Sequence, residues 1–259
     1  MKKRHVPLLL LCCLTLVMSR YSNSHAESEF PSVVQRISKS TVAIAINSPL
    51  KHSSPKILGT GFIISNGKYA VTNYHVVAQA LDPSVVENYV ILSGHGSDVK
   101  MLKVDVKRID VKHDLALLNI EASDSRLSSL PISSGELLQP GNEIAFTGYP
   151  IGAILGLYPA THRGYISAIT PDAIPANNSN QLTSRMLARI EAPSLIYQLD
   201  AVAYPGNSGS PVYEPTTGDV IGVINKVLVK DTKESALSAP TGISYAIPVR
   251  HVLNLMPKE

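Results

Sequence analysis

Short apolar runs alternate with turn-forming residues along most of the chain. After residue 26, runs rich in Val and Ile are separated at close intervals by Gly, Pro, Asn and Ser. This pattern is typical of an all-β barrel or sandwich. Asn66-Gly67 lies between the first two runs and predicts a hairpin turn. The predicted strands span residues 59–65, 68–72, 99–111, 115–120, 143–148, 164–169, 220–228 and 243–247.

Few segments carry a helical pattern. Residues 75–80 are predicted to form one or two helical turns. Residues 248–257 begin with a proline and repeat apolar residues on one face, so a short helix should close the chain. The serine-rich segment 121–139 is predicted to link two β lobes, and 171–194 to be a surface loop with room for a helical turn at 185–190.

The first 26 residues have the pattern of an export signal. Cations follow the initial Met, residues 6–18 are almost wholly apolar, and Ser24-His25-Ala26 offers a cleavage site. A helix needs about 20 apolar residues to cross a bilayer, so this run is too short. We therefore expect an exported protein, periplasmic or secreted, with no stable membrane anchor; an uncleaved anchor is the alternative.

Removal of this segment limits the chemistry that the chain can carry. It takes away four cations and no acids, which leaves 19 Lys plus Arg against 20 Asp plus Glu. No basic patch remains to favour nucleic acid as a partner. Cys12 and Cys13 also lie in the segment, so we expect neither thiol chemistry nor a disulfide. The sequence has no metal-ligand spacing such as His-Glu-x-x-His and no phosphate-binding glycine loop, and we expect no metal and no cofactor.

The stretch with the most chemical information is PGNSGSP at residues 205–211. It places Ser208 between two glycines, Gly206 and Gly209. A nucleophilic serine needs an accessible hydroxyl and nearby backbone N–H groups that hold an oxyanion, and glycines permit the tight backbone path that aims them. The segment alone is weak evidence, because similar strings form ordinary hairpin turns.

A histidine and an aspartate upstream complete a potential catalytic set. His75 lies where a predicted strand ends, a place that is rigid on one side and open on the other, as a general base requires. Asp114 directly precedes the apolar run 115–120, where a carboxylate needs a hydrogen-bond partner such as an imidazole. Each residue also has a plain alternative, as a loop or core histidine and as an exposed turn aspartate. Asp110 is a weaker competitor for the acid.

The order His75, Asp114, Ser208 is that of chymotrypsin-type proteases. The segments around these residues resemble the three signatures of trypsin-like serine endopeptidases of the HtrA/Do group. The resemblance is carried by TNYHVV at 72–77, DLALL at 114–118 and PGNSG at 205–209, with further matches in GYPIG at 148–152, GYISA at 164–168 and GISYAIP at 242–248.

This resemblance implies one trypsin-like serine protease domain over residues 27–259. Its fold would be all-β, with two perpendicular six-stranded β-barrels and the catalytic residues in the cleft between them. The N-terminal barrel would span about 30–125 and the C-terminal barrel about 130–247, with the closing helix at 248–257.

The resemblance also implies roles for individual residues. Ser208 would attack the scissile carbonyl of a protein or peptide substrate after His75 removes its proton, and Asp114 would orient His75. The backbone N–H groups of Gly206 and Ser208 would hold the oxyanion.

The pocket for the substrate residue before the cut is placed by the same resemblance. Its base would be Val202, which cannot pair with Arg or Lys, so we expect cleavage after small or medium aliphatic residues. Ile224 and Ala203 replace the His and Thr of glutamyl endopeptidases, which argues against cleavage after Glu. The walls would come from Asn225, Lys226, Val227, Gly242 and Ser244.

Several questions stay open at the level of sequence. The sequence ends soon after the closing helix, so we expect none of the PDZ modules that typical HtrA proteins carry there. The oligomeric state cannot be inferred from these motifs. Two other functions remain as alternatives: a catalytically silent peptide-binding or chaperone-like relative, and a non-catalytic β-sandwich adhesion protein.

Overall fold

The structure is a computed structural model of the chain. It describes residues 29–51, 53–96, 98–121, 127–150, 156–172, 193–227 and 242–257, although for residues 226 and 227 it describes the backbone only. The predicted export signal and the helical turn at 185–190 lie outside the described residues.

The first half of the chain forms a closed, six-stranded antiparallel barrel with the strand order β1-β2-β3-β6-β5-β4. The strands β2 and β3 are joined at the predicted turn, where Asn66 adopts a positive φ of 54°. The strands are β1 (Thr41–Asn47), β2 (Lys56–Ile64), β3 (Tyr69–Asn73), β4 (Asn88–His95), β5 (Asp98–Asp110) and β6 (Leu115–Ile120).

The second half forms another closed barrel of six strands, in the order β10-β11-β12-β9-β8-β7. Two closed antiparallel barrels confirm the fold class that the sequence implied. The strands are β7 (Glu143–Gly148), β8 (Ala160–Pro171), β9 (Leu195–Asp200), β10 (Pro211–Tyr213), β11 (Val220–Val227) and β12 (Ile243–Pro248).

In the described part of the chain two helices flank the barrels: α1 (Phe30–Ser40) and α2 (Arg250–Leu255). The helix α2 confirms the predicted closing helix, although it is shorter. The sequence interpretation missed α1, because its buried apolar stripe consists only of Val33 and Ile37, one helical turn apart. Neither helix, nor any other helix in the described part of the chain, combines the length and apolarity needed to cross a bilayer.

A single apolar cluster joins the two barrels and both helices. The first barrel contributes Phe62 and Leu117, the second contributes Tyr213 and Val223, and α1 contributes Ile37, all of them fully or almost fully buried. Each barrel also has its own core. Because burial of apolar surface stabilises a fold in proportion to its area, this shared cluster holds the barrels at a fixed separation.

Truncation of Ile37 should test the contribution of α1 to this cluster. Ile37→Ala is expected to lower the free energy of unfolding by about 2–5 kcal/mol, because the side chain is fully buried and its removal leaves a cavity. Denaturant-induced unfolding followed by circular dichroism measures the change. Gln35→Ala, at an exposed position of the same helix, is the control and should cost little. Equal effects of the two substitutions would show that α1 does not pack as described.

Candidate active site

His75 lies at the rim of the first barrel. The strand β3 ends at Asn73, and a short 3-10 turn, Tyr74–Val77, carries the histidine. Val76 and Val77 in this turn are buried in the core of the first barrel and anchor it. The side chain of His75 keeps 36% of its surface exposed, so the ring is fixed at its base and accessible at its tip.

Asp114 faces His75 from the turn between β5 and β6. Its carboxylate accepts two hydrogen bonds from that residue, one from the backbone N–H at 2.9 Å and one from Nδ1 at 2.6 Å. The backbone carbonyl of Asp114 accepts from the Tyr74 N–H at 3.0 Å and from Asn73 Nδ2 at 3.1 Å. Since the carboxylate takes the Nδ1 hydrogen, Nε2 of the neutral ring is left as a proton acceptor.

The backbone of Asp114 is strained, with a φ of +54°. A left-handed conformation of a residue other than glycine is uncommon, and such residues cluster at functional sites. The four hydrogen bonds described above hold Asp114 in this conformation. The competing carboxylate of Asp110 does not bond to His75; it pairs instead with His113, at 2.5 Å.

Ser208 lies on the loop that runs from β9 to β10 in the second barrel. Its hydroxyl donates a hydrogen bond to the backbone carbonyl of Asn225 at 2.9 Å. Among the described residues, the hydroxyl is bonded to this carbonyl and not to His75. The structure therefore shows the His75–Asp114 pair formed and the serine hydroxyl turned toward β11.

The serine loop and the His75 turn nevertheless approach each other closely. Gly59 on β2 lies between them: a Cβ atom added there would be 3.0 Å from the Ser208 carbonyl oxygen and 3.0 Å from a methyl carbon of Val76, the residue after His75. Gly209, with a φ of +88°, lies so close to Thr60 that a Cβ would collide with its carbonyl oxygen. Any larger residue at position 209 would push the serine loop away from the first barrel.

Thr60 on β2, which the sequence interpretation did not single out, fastens the serine loop to the first barrel. Its N–H donates to the Ser208 carbonyl at 2.9 Å, and its hydroxyl donates to the Gly206 carbonyl at 2.7 Å. The same hydroxyl accepts a hydrogen bond from the Tyr149 N–H at 3.0 Å. The only sequence signal for this role is the position of Thr60 between two glycines, Gly59 and Gly61, which allow close approach on either side.

These contacts leave two backbone N–H groups available at the loop. The N–H groups of Asn207, Gly209 and Ser210 donate to backbone carbonyls. The hydrogen bonds of the described residues use neither the N–H of Gly206 nor that of Ser208. Gly206 has a φ of +101°, a conformation that glycine adopts without the steric cost that other residues carry.

Of the predicted pocket residues, Val202 lies in the segment before the serine loop, and Ser244 is bonded to that segment. Val202 and Asn225 are half-buried, and Gly242 is partly exposed at the start of β12. The hydroxyl of Ser244 is buried; it donates to the Ala201 carbonyl at 2.6 Å and accepts from the Ala203 N–H at 2.9 Å. Ser244 thus holds the backbone on both sides of Val202.

The remaining pocket residues are described less completely. Lys226 and Val227 belong to β11, and their side chains lie outside the description. Ile224 and Ala203, on which the sequence argument against cleavage after Glu rests, are buried. The described residues contain no cluster of three or more His, Cys, Asp or Glu side chains that could hold a metal ion.

Comparison with known proteins places the chain among proteases. A family model described as a trypsin-like peptidase domain matches residues 59–223, a range that includes His75, Asp114 and Ser208. The mitochondrial protease Do-like 4 of Arabidopsis thaliana is 28% identical over 230 residues, which are 80% of this chain and 40% of that protein. A probable periplasmic serine endoprotease, DegP-like, of Halomonas elongata is 32% identical over 193 residues, 74% of this chain and 33% of that protein.

A solved structure shares the fold. It is a variant of the HtrA-type protease AlgW, solved with a tripeptide, and it matches with a TM-score of 0.61 at 20% identity over 87% of this chain and 61% of that one. The resemblance to the HtrA/Do group is confirmed by these relatives. The chain spans 40% or less of the length of the two curated relatives described above.

A pair of substitutions at Thr60 should test whether this residue holds the serine loop in place. Thr60→Val preserves shape but leaves the Gly206 carbonyl and the Tyr149 N–H without their partner, whereas Thr60→Ser keeps the hydroxyl. We expect the valine variant to slow modification of Ser208 by a fluorophosphonate roughly tenfold or more, because small displacements of reacting groups are costly. The serine variant should stay within about threefold of the wild type. If the valine variant reacts at the wild-type rate, the hydroxyl does not position the loop.

Proposed function

Because the chain belongs to the trypsin-like peptidase domain family, we propose that it is an exported serine endopeptidase of the HtrA/Do type. In this proposal His75, Asp114 and Ser208 form the catalytic triad and hydrolyse peptide bonds through an acyl-enzyme. The observation that carries the proposal is the pair of hydrogen bonds from His75 to the Asp114 carboxylate, in the same barrel to which Thr60 fastens the serine loop.

Acylation begins when the Ser208 hydroxyl turns from the Asn225 carbonyl to His75. Nε2 of His75 removes the hydroxyl proton while Oγ forms a bond to the scissile carbonyl carbon. The carbonyl oxygen becomes an oxyanion, which accepts hydrogen bonds from the N–H groups of Gly206 and Ser208. His75 then gives its proton to the leaving amine, the carbon–nitrogen bond breaks, and an ester to Ser208 remains.

Deacylation repeats these steps with water as the nucleophile. His75 takes a proton from water as the water oxygen bonds to the ester carbon, and then returns that proton to Oγ of Ser208 as the carbon–oxygen bond of the ester breaks. Asp114 keeps its charge throughout and stabilises the imidazolium in each half-reaction. A general base typically contributes about 10²–10⁴-fold and one oxyanion donor about 10²–10³-fold in rate.

We propose that cleavage follows small or medium aliphatic residues, and the composition of the pocket supports this. Val202 presents an apolar side chain at the proposed base, and the hydrogen bonds of Ser244 to Ala201 and Ala203 hold that segment. The proposed cellular location, periplasmic or extracellular, follows from the export pattern at the N-terminus. It is supported by relatives named as periplasmic, although another relative is named as mitochondrial.

Chemical labelling and cleavage profiling test the activity together. A fluorophosphonate should modify Ser208 in the folded protein, Ser208→Ala should abolish this, and His75→Ala should slow it by about 10²–10⁴-fold. Incubation with an unbiased peptide library should give products cut after aliphatic residues. Folded wild-type protein that remains unmodified at Ser208 would favour the alternative of a catalytically silent, peptide-binding relative.

The identity of the pocket base can be tested with an isosteric pair. Val202→Asp would place a carboxylate where the proposal puts the substrate side chain, so cleavage after Arg and Lys should rise by about tenfold or more relative to aliphatic residues. Val202→Asn has a similar shape without the charge and should not produce this preference. If the library profile of the Asp variant is unchanged, Val202 does not form the base of the pocket.

A further inference from the structure

A second row of hydrogen-bonded side chains lies next to the proposed triad and crosses between the barrels. The Asp110 carboxylate accepts from the His113 N–H at 3.0 Å and from its Nδ1 at 2.5 Å, and Nε2 of His113 lies 2.8 Å from the Ser194 hydroxyl. Asp110 and His113 belong to the first barrel, and Ser194 directly precedes β9 of the second. His113 is also the residue immediately before Asp114.

The protonation of this row follows from its partners. Burial raises the pKa of Asp110, but the hydrogen bonds from His113 outweigh it and leave the pKa below its ordinary value. An ionised carboxylate only accepts, so Nδ1 of His113 carries a hydrogen. In the neutral ring Nε2 is then the acceptor, and the Ser194 hydroxyl donates to it.

A second histidine covers the first one. The ring of His251, on α2, stacks on the ring of His113 with centroids 3.7 Å apart. Burial lowers the pKa of His251 to about 4, aided by the neighbouring His113, Arg250 and Lys112, whereas Asp110 acts in the opposite direction. At neutral pH the covering ring is therefore uncharged, and it packs as a flat surface that limits how His113 can turn.

The row also bounds a cavity to which both barrels contribute walls. The cavity has a volume of about 320 Å³, and its walls include His113, Ser194, His251 and Asn225. Asn225 is the residue whose carbonyl holds the Ser208 hydroxyl. The open space thus lies between the turn that carries Asp114 and the strand that contacts the serine. The bond from His113 to Ser194 spans one side of this space and adds a directional connection to the apolar packing of the shared cluster.

This row has the order of a catalytic triad, but among the described residues the N–H of Ser194 itself is already used and cannot hold an oxyanion. The N–H of Ser194 donates to the Asp172 carboxylate at 3.0 Å, and the Ser194 carbonyl accepts from the Asp172 N–H at 2.8 Å. Acyl transfer at Ser194 would need free donors beside the hydroxyl. The row is therefore suited to holding two parts of the structure together.

We propose that His113 is a positioning residue for the triad: through its hydrogen bond to Ser194 it fixes the Asp114 turn of the first barrel relative to the second barrel. This inference rests on the proposed function. Thr60 secures the serine loop to the first barrel, and His113 secures the aspartate turn to the second barrel. Together the two residues restrain the triad at both of its ends.

Matched substitutions at Ser194 and His113 test the proposal. Ser194→Ala removes only the hydroxyl, and Ser194→Thr keeps it; His113→Asn retains a group that can reach Asp110 but is too short for Ser194. The alanine and asparagine variants should lower kcat about ten- to hundredfold with little change in KM, and the threonine variant should restore it. His95→Ala, at an exposed histidine of the first barrel, should leave kcat unchanged.

Rescue by the conservative variant separates positioning from a general loss of stability. Ser194→Thr keeps the hydroxyl and should restore kcat, whereas a loss of stability alone would follow the change in the temperature of thermal unfolding. Thermal unfolding of each variant verifies that it is folded at the assay temperature. If His113→Asn does not fold, Ser194→Ala still tests the proposal, because it removes only one oxygen atom.

The outcomes distinguish this proposal from the proposed function. If the wild type neither cleaves peptides nor reacts at Ser208, both the proposed function and the positioning role are wrong. If the wild type is active and the Ser194→Ala and His113→Asn variants keep kcat within about twofold, the positioning role alone is wrong. Fluorophosphonate labelling of Ser194 in a Ser208→Ala background would also overturn it, in favour of a second nucleophile.

Discussion

The proposed catalytic groups are built on two different barrels, so their alignment depends on how the barrels are held together. His75 and Asp114 belong to the first barrel and Ser208 to the second. The shared apolar cluster sets the separation of the barrels. The hydrogen bonds of Thr60 set the position of the serine loop relative to the first barrel. Apolar packing is not directional, whereas hydrogen bonds are, and this site uses both.

Within the first barrel, local strain is balanced by local hydrogen bonds. The left-handed backbone of Asp114 costs about 1–3 kcal/mol. Its carboxylate and carbonyl together accept four hydrogen bonds from residues 73–75, so the strained turn and the histidine turn stabilise each other. The result is an imidazole whose Nδ1 is bonded to Asp114, which leaves Nε2 as the nitrogen that can accept a proton.

Much of this could be predicted from the sequence, and the limits have physical reasons. Strands with turn residues at both ends, such as β6 and β7, were predicted with the observed bounds. The predicted strands did not include β1, β4 and β9. The strand β10 was also missed, because three residues are too few for a pattern, and α1 was missed because it buries only a narrow stripe. His75, Asp114 and Ser208 could be proposed because each lies beside a recognisable strand or glycine turn.

The roles of Thr60 and His113 could not be predicted in the same way. Each depends on a partner more than 80 residues away along the chain, Gly206 and Ser208 for Thr60 and Ser194 for His113. Nothing in the local sequence specifies such a contact; it exists only after both barrels have closed and packed. The buried hydroxyl of Ser244 is a similar case, since its backbone partners lie on another segment.

The account is tested most directly by a crystal structure of the protein with a peptide boronate. We predict a covalent bond from boron to Oγ of Ser208, one boronate oxygen within about 2.7–3.1 Å of the N–H groups of Gly206 and Ser208, and His75 still bonded to Asp114. A boronate bound elsewhere, or Ser208 unmodified with its hydroxyl still on the Asn225 carbonyl, would contradict the account.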